Sequence, residues 1–510
     1  MTDSNSLRQT IVADSIKNLS ANLFSLPISF VSTLLIARTL GPELTGITTA
    51  AIALVLTYTI NAHMGTLNAL GQRYPYLIGQ GTTEARTEAE QILGIVLGFL
   101  GIAALASCAV VFGLAIWKYH TGPSLLAIGF GFGAIISALQ LLKTYYFFVI
   151  RSTNQFAYLS RFTLTFAWVP LAWFAGAQLG GVVAQWATMV ATETVICVFL
   201  FRSVGRNIKW EIDFKASWRY IKVGFPIYIV GTLFGVFSSI DRLAVATFLG
   251  TTVLGFYGVA SMAGSLLGIV PGMIGQIMWP RMAGKLGAAG QEWREMLPFI
   301  EKPTFLMAFL LPPVIGMAVL MLPTATEVLL PRYMPGVAAA QISIITVYFL
   351  GLMGMYAVFL GTSLRLLPYG VVTAVGIGLN VAGSYLSVHF GWGLTGIAWS
   401  KVVAYGIVAF SLFSYVGRLF GYKWRQLSLR LIILLAPMAI VYALVFWIIP
   451  WLVPNDARLL PGMLWKLSFQ VGILFTLTSP LIWFSLLSSG VMGDVIGIFR
   501  RTLNFETRVR

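Results

Sequence analysis

Long apolar stretches alternate with short polar connections along the whole 510-residue chain. A helix needs roughly 20 mostly apolar residues to cross a bilayer, because hydrocarbon offers the backbone no hydrogen-bond partner and a helix satisfies its own. Fourteen stretches come close to that length, so the pattern predicts an all-α polytopic membrane protein with about 14 transmembrane helices. The predicted spans are Leu19–Ile36, Ile47–Leu70, Ile92–Ile116, Leu125–Leu142, Phe162–Ala177, Val182–Phe201, Val223–Leu249, Val253–Met278, Phe305–Leu322, Val337–Leu360, Val371–Phe390, Leu394–Val416, Leu431–Leu452 and Leu467–Leu487.

The composition leaves no room for a large soluble domain, because 58% of the residues are hydrophobic and only 10% are charged. The first 18 residues are polar and contain Asp3 and Asp14, unlike the basic region that precedes the apolar stretch of a cleavable signal peptide. We therefore expect the first span to be retained. Cys108 and Cys197 lie inside predicted spans, where they behave as small apolar residues rather than as a metal pair or a disulfide.

The distribution of basic residues predicts the orientation of the chain. With the N-terminus inside, 26 of the 33 Lys and Arg residues fall on the inner face and five on the outer face, while Arg242 and Lys401 fall within spans. This asymmetry follows the positive-inside rule, so the net charge of +16 faces anionic lipid headgroups rather than nucleic acid. Both termini are expected in the cytoplasm.

A long basic loop divides the first twelve predicted spans into two sets of six. We expect an N-terminal six-helix half (1–203), a cytoplasmic basic linker (204–222), a C-terminal six-helix half (223–417), and two additional helices with a cytoplasmic tail (418–510). Ala37–Gly46 and Ala246–Gly255, 209 residues apart, share Ala, Leu, Gly and Gly in register after spans one and seven. Transporters are commonly built from such repeats, which predicts a substrate cleft between the halves and alternating access.

Glycines spaced four residues apart also occur within the spans. Such small residues let membrane helices approach closely, so we expect packing contacts between helices at these positions. The pairs are Gly94 with Gly98, Gly231 with Gly235, and Gly264 with Gly268.

Two segments carry a family resemblance. Ala37–Gly46, with its Leu40-Gly41-Pro42-Glu43 core, and the border Gly71-Gln72-Arg73 resemble the polysaccharide flippases of the multidrug/oligosaccharidyl-lipid/polysaccharide (MOP) exporter superfamily. The resemblance implies a flippase of the bacterial inner (plasma) membrane that moves an undecaprenyl-diphosphate-linked oligosaccharide outward for cell-surface polysaccharide or lipopolysaccharide biosynthesis. The first span contains no charge, which disfavours both the lipid II flippases, with their arginine-rich first helix, and the cation-coupled multidrug branch, with its acidic one.

Charges inside spans are candidates for function, because a mid-membrane charge costs at least ~2.5–3.5 kcal/mol and must face water or the bundle interior. Asp241 and Arg242 lie in span seven, and Lys401 lies in span twelve. Neighbouring residues point about 100° apart on a helix, so Asp241 and Arg242 each need another partner. Either Arg242 and Lys401 attract the diphosphate, with Asp241 tuning one of them or carrying a coupling proton, or the charges form a structural ion pair between helices.

Further polar residues lie in or beside the predicted spans. We expect Glu193 to pair with Lys143, because the two positions have similar depth and buried charges need partners. His63, near Asn61, is either a group that titrates near physiological pH and gates or couples transport, or a hydrogen-bonded packing residue.

Three charges at the predicted membrane borders complete the candidates. At the outer border, Arg38 and Glu43 are expected to have a structural role, since interfacial charge costs little. At the inner border, Arg73 either receives the diphosphate from the cytoplasmic leaflet or serves as a positive-inside anchor.

Signatures of catalysis are absent from the sequence. The chain has no G-x-x-x-x-G-K-[ST] loop, and His63, His120 and His389 lack the spacing of a zinc motif, so no cofactor or metal is expected. We therefore predict a flippase rather than an enzyme. A cation-coupled multidrug exporter and a membrane enzyme of polysaccharide assembly are the alternatives. The predicted partners are the lipid-linked oligosaccharide, membrane lipids, and a polysaccharide polymerase or glycosyltransferases.

Overall fold

The computed structural model describes residues 61–121, 124–206, 208–288, 293–449 and 460–488, together with separate positions between 20 and 52. Glu43 and the two termini, on which the sequence analysis made predictions, lie outside the described residues. The helices are α1 (Ser20–Leu40), α2 (Thr66–Gln80), α3 (Thr83–Thr121), α4 (Ser124–Ser152), α5 (Phe156–Thr165), α6 (Val169–Leu200), α7 (Phe214–Phe248), α8 (Thr251–Ala288), α9 (Leu297–Leu329), α10 (Val337–Ser343), α11 (Thr346–Thr362), α12 (Leu366–His389), α13 (Gly393–Leu419), α14 (Trp424–Ala443) and α15 (Leu460–Ser488).

Eleven segments within the described residues are long and apolar enough to cross a membrane, and no strand occurs among these residues. The prediction of an all-α, multi-pass membrane protein is therefore confirmed. The exact number of 14 spans stays a prediction, because one of the eleven segments, Phe156–Gly205, contains two predicted spans and Leu467–Pro480 is shorter than the rest.

Helix α6 folds back on itself at a glycine pair. Gly180 and Gly181 leave the helical conformation, and Gly181 has φ 65° and ψ −151°, a backbone region open essentially only to glycine. The two arms then pack side by side, since the indole nitrogen of Trp173 donates to the hydroxyl of Thr192 at 2.9 Å. The structure therefore separates the predicted fifth and sixth spans where the sequence analysis placed their border.

The predicted second span, Ile47–Leu70, is interrupted where the sequence analysis expected a continuous helix. Met64 and Gly65 have left-handed φ values of 45° and 85°, and α2 begins only at Thr66. The reason is a close backbone crossing: a Cβ on Gly65 would lie 2.5 Å from the carbonyl carbon of Gly224 in α7. Without side chains at either position, the two backbones touch and the chain can turn.

Glycine contacts also fix the other end of α2. A Cβ on Gly79 would lie 1.8 Å from the carbonyl oxygen of Gly284, and one on Gly287 would lie 2.0 Å from that of Tyr76. Both partners belong to the last turns of α8. Helix α2 is thus held at each end by backbone contacts that admit no side chain.

The predicted roles of the spaced glycines are corrected by the structure. A Cβ on Gly94 or Gly98 would meet the carbonyl oxygens of Lys209 and Glu211, so these glycines accommodate the extended segment before α7 rather than another helix. Around Gly231, Gly235 and Gly264, a Cβ would meet nothing within 4 Å among the described residues, and at Gly268 it would make only ordinary contact with Leu350. Of the three pairs, only Gly94 and Gly98 are required for a close contact, and their spacing did not indicate which segment makes it.

We expect Gly224→Ala to destabilise the protein by about 1–3 kcal/mol or more, because its Cβ would lie 1.9 Å from the carbonyl oxygen of Gly65 and neither backbone can yield. Gly231→Ala in the same helix is the matched control, since its Cβ enters open space and alanine favours helix. Thermal unfolding of the detergent-purified variants measures the difference. Equal melting temperatures would contradict the close crossing.

The described residues form two compact units. One comprises Ala13–Tyr228 and Trp279–Gln291, and the other includes Ile229–Met278 and Glu292–Arg510. An apolar core around Val111, Ala134 and Trp186 lies in the first unit, and one around Val245, Tyr257 and Ile397 lies in the second. Helix α7 already begins at Phe214, inside the segment 204–222 that the sequence analysis assigned to the linker. The predicted division into halves stays a prediction.

Candidate functional site

A buried polar network joins four helices of the second unit. Asp241 of α7 is fully buried, and its Oδ2 accepts hydrogen bonds from Lys401 Nζ of α13 at 2.8 Å and from the Tyr257 hydroxyl of α8 at 2.7 Å. The Tyr257 hydroxyl lies 3.1 Å from that of Ser343 in α10. Asp241 therefore finds its counterion on another helix, as the 100° offset from Arg242 required.

One carboxylate oxygen of the network has no partner. Asp241 Oδ1 is buried and makes no hydrogen bond among the described residues. Tyr257, which donates to the other oxygen, belongs to an apolar core cluster with Val245, Ala260 and Ile397. A buried oxygen that accepts nothing is costly, and such sites commonly bind a proton, an ion or water.

The predicted tenth span is interrupted beside this network. Helix α10 ends at Ser343 and α11 begins at Thr346. Across the junction the backbone makes tighter i→i+3 bonds, from Ile345 N to Ile342 O at 3.1 Å and from Val347 N to Ile344 O at 3.0 Å. Short 3₁₀ stretches inside helices often mark hinges, so the network adjoins a backbone that is not a rigid α-helix.

Arg242 lies beside the network but outside it. Its side chain is exposed, it forms no ion pair among the described residues, and it lies near the Tyr405 ring, which stacks on Phe237 with centroids 4.4 Å apart. The Lys401–Asp241 pair is neutral as a whole. Of the three charges that the sequence analysis singled out, Arg242 therefore carries the net positive charge.

Small and polar residues share the face of α7 that carries Arg242. Gly231, Gly235, Ser238 and Arg242 follow at helical spacing, and all except the half-buried Ser238 are exposed. Lipid-facing surfaces are apolar, and an intramembrane arginine faces water or the bundle interior. This stripe, Gly231 to Arg242, is here called the α7 polar face.

The first unit contains the ion pair that the sequence analysis predicted between Glu193 and Lys143. Lys143 Nζ lies 2.7 Å from Glu193 Oε2 and 2.8 Å from Oε1, and Gln140 Nε2 donates to Oε1 at 3.1 Å. The side chain of Glu193 is only 4% exposed. The pair links α4 to α6 inside an apolar bundle.

His63 lies at the interruption before α2. Its Nδ1 accepts a hydrogen bond from the Gly65 N–H at 3.0 Å, and its ring meets the Tyr228 ring edge-on with centroids 5.4 Å apart. The Tyr228 hydroxyl bonds Asn61 Oδ1. The geometry gives His63 a hydrogen-bonded packing role, and the gating role stays a prediction.

The border charges have different surroundings. Arg73 Nη2 lies 3.1 Å from Glu88 Oε1, and both side chains are more than a third exposed, so Arg73 already has a partner at the membrane border. Arg38 is exposed. The roles proposed for Arg73, Arg38 and Glu43 stay predictions.

Sequence reasoning missed Tyr257 and Ser343, which complete the network. Both lie in largely apolar helices, where the only signal is that a buried tyrosine hydroxyl needs a hydrogen-bond partner. No group of three or more His, Cys, Asp or Glu side chains comes together in the part of the chain that the structure describes.

Comparisons with known proteins agree with this architecture. A structure of a mutant of the Vibrio cholerae MATE transporter VcmN is similar, with 14% identity, 80% of this chain and 97% of that chain covered, and a TM-score of 0.65. VcmN in its bent form has 14% identity, coverage of 81% and 97%, and a TM-score of 0.62. A MOP superfamily transporter from Pyrococcus furiosus has 13% identity, coverage of 81% and 96%, and a TM-score of 0.60.

None of the curated proteins matches the chain at a significant level. The sequence model of a family described as "Polysaccharide biosynthesis protein" matches residues 35–338, more than half of the chain. The chain shares the fold of MOP superfamily transporters and belongs to this polysaccharide biosynthesis protein family.

Proposed function

We propose that the chain is a flippase that moves an undecaprenyl-diphosphate-linked oligosaccharide from the inner to the outer leaflet of the bacterial inner membrane, with both termini in the cytoplasm. The product feeds the synthesis of cell-surface polysaccharide such as lipopolysaccharide, and a polysaccharide polymerase or glycosyltransferases are its functional partners. Membership of the polysaccharide biosynthesis family supports the sugar-bearing substrate.

The observation that carries the proposal is the exposed Arg242 on the α7 polar face. Such a substrate has an anionic sugar-diphosphate head that cannot cross hydrocarbon and a polyprenyl tail that never leaves it. The protein needs to shelter only the head. Arg242 has no ion-pair partner among the described residues and lies on a face of glycines and serine, so its charge replaces part of the hydration of a diphosphate, while Asp241 neutralises Lys401 nearby.

The neutral Lys401–Asp241 pair has a separate part in this mechanism. Asp241 Oδ1 accepts no hydrogen bond from the described residues and belongs to a network that adjoins the interrupted α10–α11 helix. Proton uptake there weakens the bond to Lys401 and changes the packing of α7 against α13. The same observation favours the second candidate, a cation-coupled multidrug exporter of the same superfamily.

A reconstituted flipping assay tests the proposed function. Purified protein in vesicles is given a fluorescent undecaprenyl-diphosphate oligosaccharide, and an impermeant reagent reports the fraction in each leaflet. We expect protein-dependent exchange between leaflets, with a zwitterionic phospholipid of similar label left in place. Transport of cationic drugs without exchange of the sugar lipid would favour the second candidate, and altered glycosidic bonds would indicate an enzyme.

A further inference from the structure

A cavity of about 320 Å³ lies in the second unit, where the ends of four helices meet. The first turns of α9 and α14 and the last turns of α11 and α13 surround it. Its walls combine apolar or aromatic side chains with charged ones, as a site for an amphipathic ligand requires. The lining residues are Glu301, Lys302, Thr304, Phe305, Tyr356, Phe413, Arg430, Ile433 and Leu434.

A fixed ion pair forms one side of this cavity. Glu301 Oε1 accepts hydrogen bonds from Arg430 and, at 2.8 Å, from the Tyr422 hydroxyl. The Arg430 guanidinium stacks on the Tyr422 ring at 4.0 Å. Burial and the bond to Glu301 raise the pKa of Tyr422, which lies in the turn between α13 and α14, so this tyrosine stays a neutral donor. Arg430 is thereby held in one position.

The charges around the cavity do not balance. Arg430 is matched by Glu301, whereas Lys302 has no ion-pair partner among the described residues. Two further cations lie at ends of the helices that surround the cavity, Arg365 shortly after α11 and Arg418 in the last turn of α13, over the Trp293 and Trp424 rings respectively. The site thus presents a net positive charge next to apolar walls. It therefore favours an anionic ligand with a hydrocarbon chain.

We propose that this cavity binds the phosphate headgroup of an anionic membrane lipid, with Lys302 and Arg430 on the phosphate and the first acyl carbons along Phe305, Ile433 and Leu434. The leaflet is the one on the side of the basic loops, where anionic headgroups attract such cations. Two membrane lipids share this chemistry: an anionic glycerophospholipid and the polyprenyl diphosphate carrier. The inference goes beyond the proposed function, since it holds whatever the protein transports.

Lipid titration of the full-length protein in zwitterionic detergent tests the proposal. Short-chain phosphatidylglycerol, farnesyl diphosphate, inorganic phosphate and short-chain phosphatidylcholine are added in turn, and the thermal shift gives an affinity for each. We expect the two anionic lipids to bind and phosphatidylcholine and inorganic phosphate to bind more weakly by roughly tenfold or more, since both the charge and the hydrocarbon contribute. The anionic lipid that binds with the higher affinity shows which of the two membrane lipids is the natural ligand.

Lys302→Gln is the decisive variant, because the unpartnered Lys302 can be neutralised without breaking an ion pair. We expect it to weaken binding of the anionic lipids roughly tenfold, as expected for a charge-assisted hydrogen bond. Arg425→Gln is the matched control, an exposed cation in the first turn of α14 that does not line the cavity. An equal loss in both variants, or equal binding of all four additives, would overturn the site. The binding assay does not measure flipping activity. A negative result would therefore exclude the lipid site without contradicting the proposed function.

Discussion

Lys401→Met should destabilise the protein by about 3–5 kcal/mol, because it leaves a buried carboxylate without its counterion. Asp241 is fully buried, its Oδ2 would retain only the Tyr257 hydroxyl, and its Oδ1 has no partner among the described residues. Thermal unfolding in detergent and the yield of membrane-inserted protein measure the loss. The double variant Lys401→Met/Asp241→Asn removes both charges and should recover most of the stability. A double variant as unstable as Lys401→Met would contradict the pairing.

The Lys143–Glu193 pair supplies a matched control for function. It is buried to a similar degree, with side chains 16% and 4% exposed, but it lies in the first unit and joins α4 to α6. Its neutral double variant, Lys143→Met/Glu193→Gln, should also fold. We expect this control to flip lipid-linked oligosaccharide at nearly the wild-type rate, whereas the folded Asp241/Lys401 double variant loses transport. Normal transport by both double variants would show that the Asp241–Lys401 pair has only a structural role.

The length of the apolar stretches was enough to predict much of the fold. The polytopic all-α class follows from it, and so does the border between the fifth and sixth spans, where the structure shows a turn at Gly180-Gly181. The Lys143–Glu193 pair could be predicted because each charge lies at a similar depth and neither has a closer partner in sequence.

Contacts between distant segments could not be predicted in the same way. Lys401 is 160 residues from Asp241, and nothing in the local pattern indicates that α13 packs on α7. The interruption at Met64-Gly65 depends on the approach of Gly224. Position 94 requires a glycine because the backbone of Lys209 crosses it closely. Each of these features depends on tertiary packing, which a single apolar stretch does not encode.

Arg242→Ala should lower the rate of sugar-lipid flipping by roughly 10- to 100-fold, which corresponds to the loss of about 1.5–3 kcal/mol from a charged hydrogen bond to the diphosphate. Folding should be unaffected, because the exposed Arg242 forms no ion pair among the described residues.

Arg242→Lys retains the charge and should restore part of the rate, limited by the loss of bidentate geometry. Lys118→Ala, at the end of α3 in the other unit, is the matched cation control and should flip normally. The reconstituted flipping assay measures all three variants. Wild-type flipping by Arg242→Ala would remove the α7 polar face from the substrate path, since no other cation of the Asp241 network is left uncompensated.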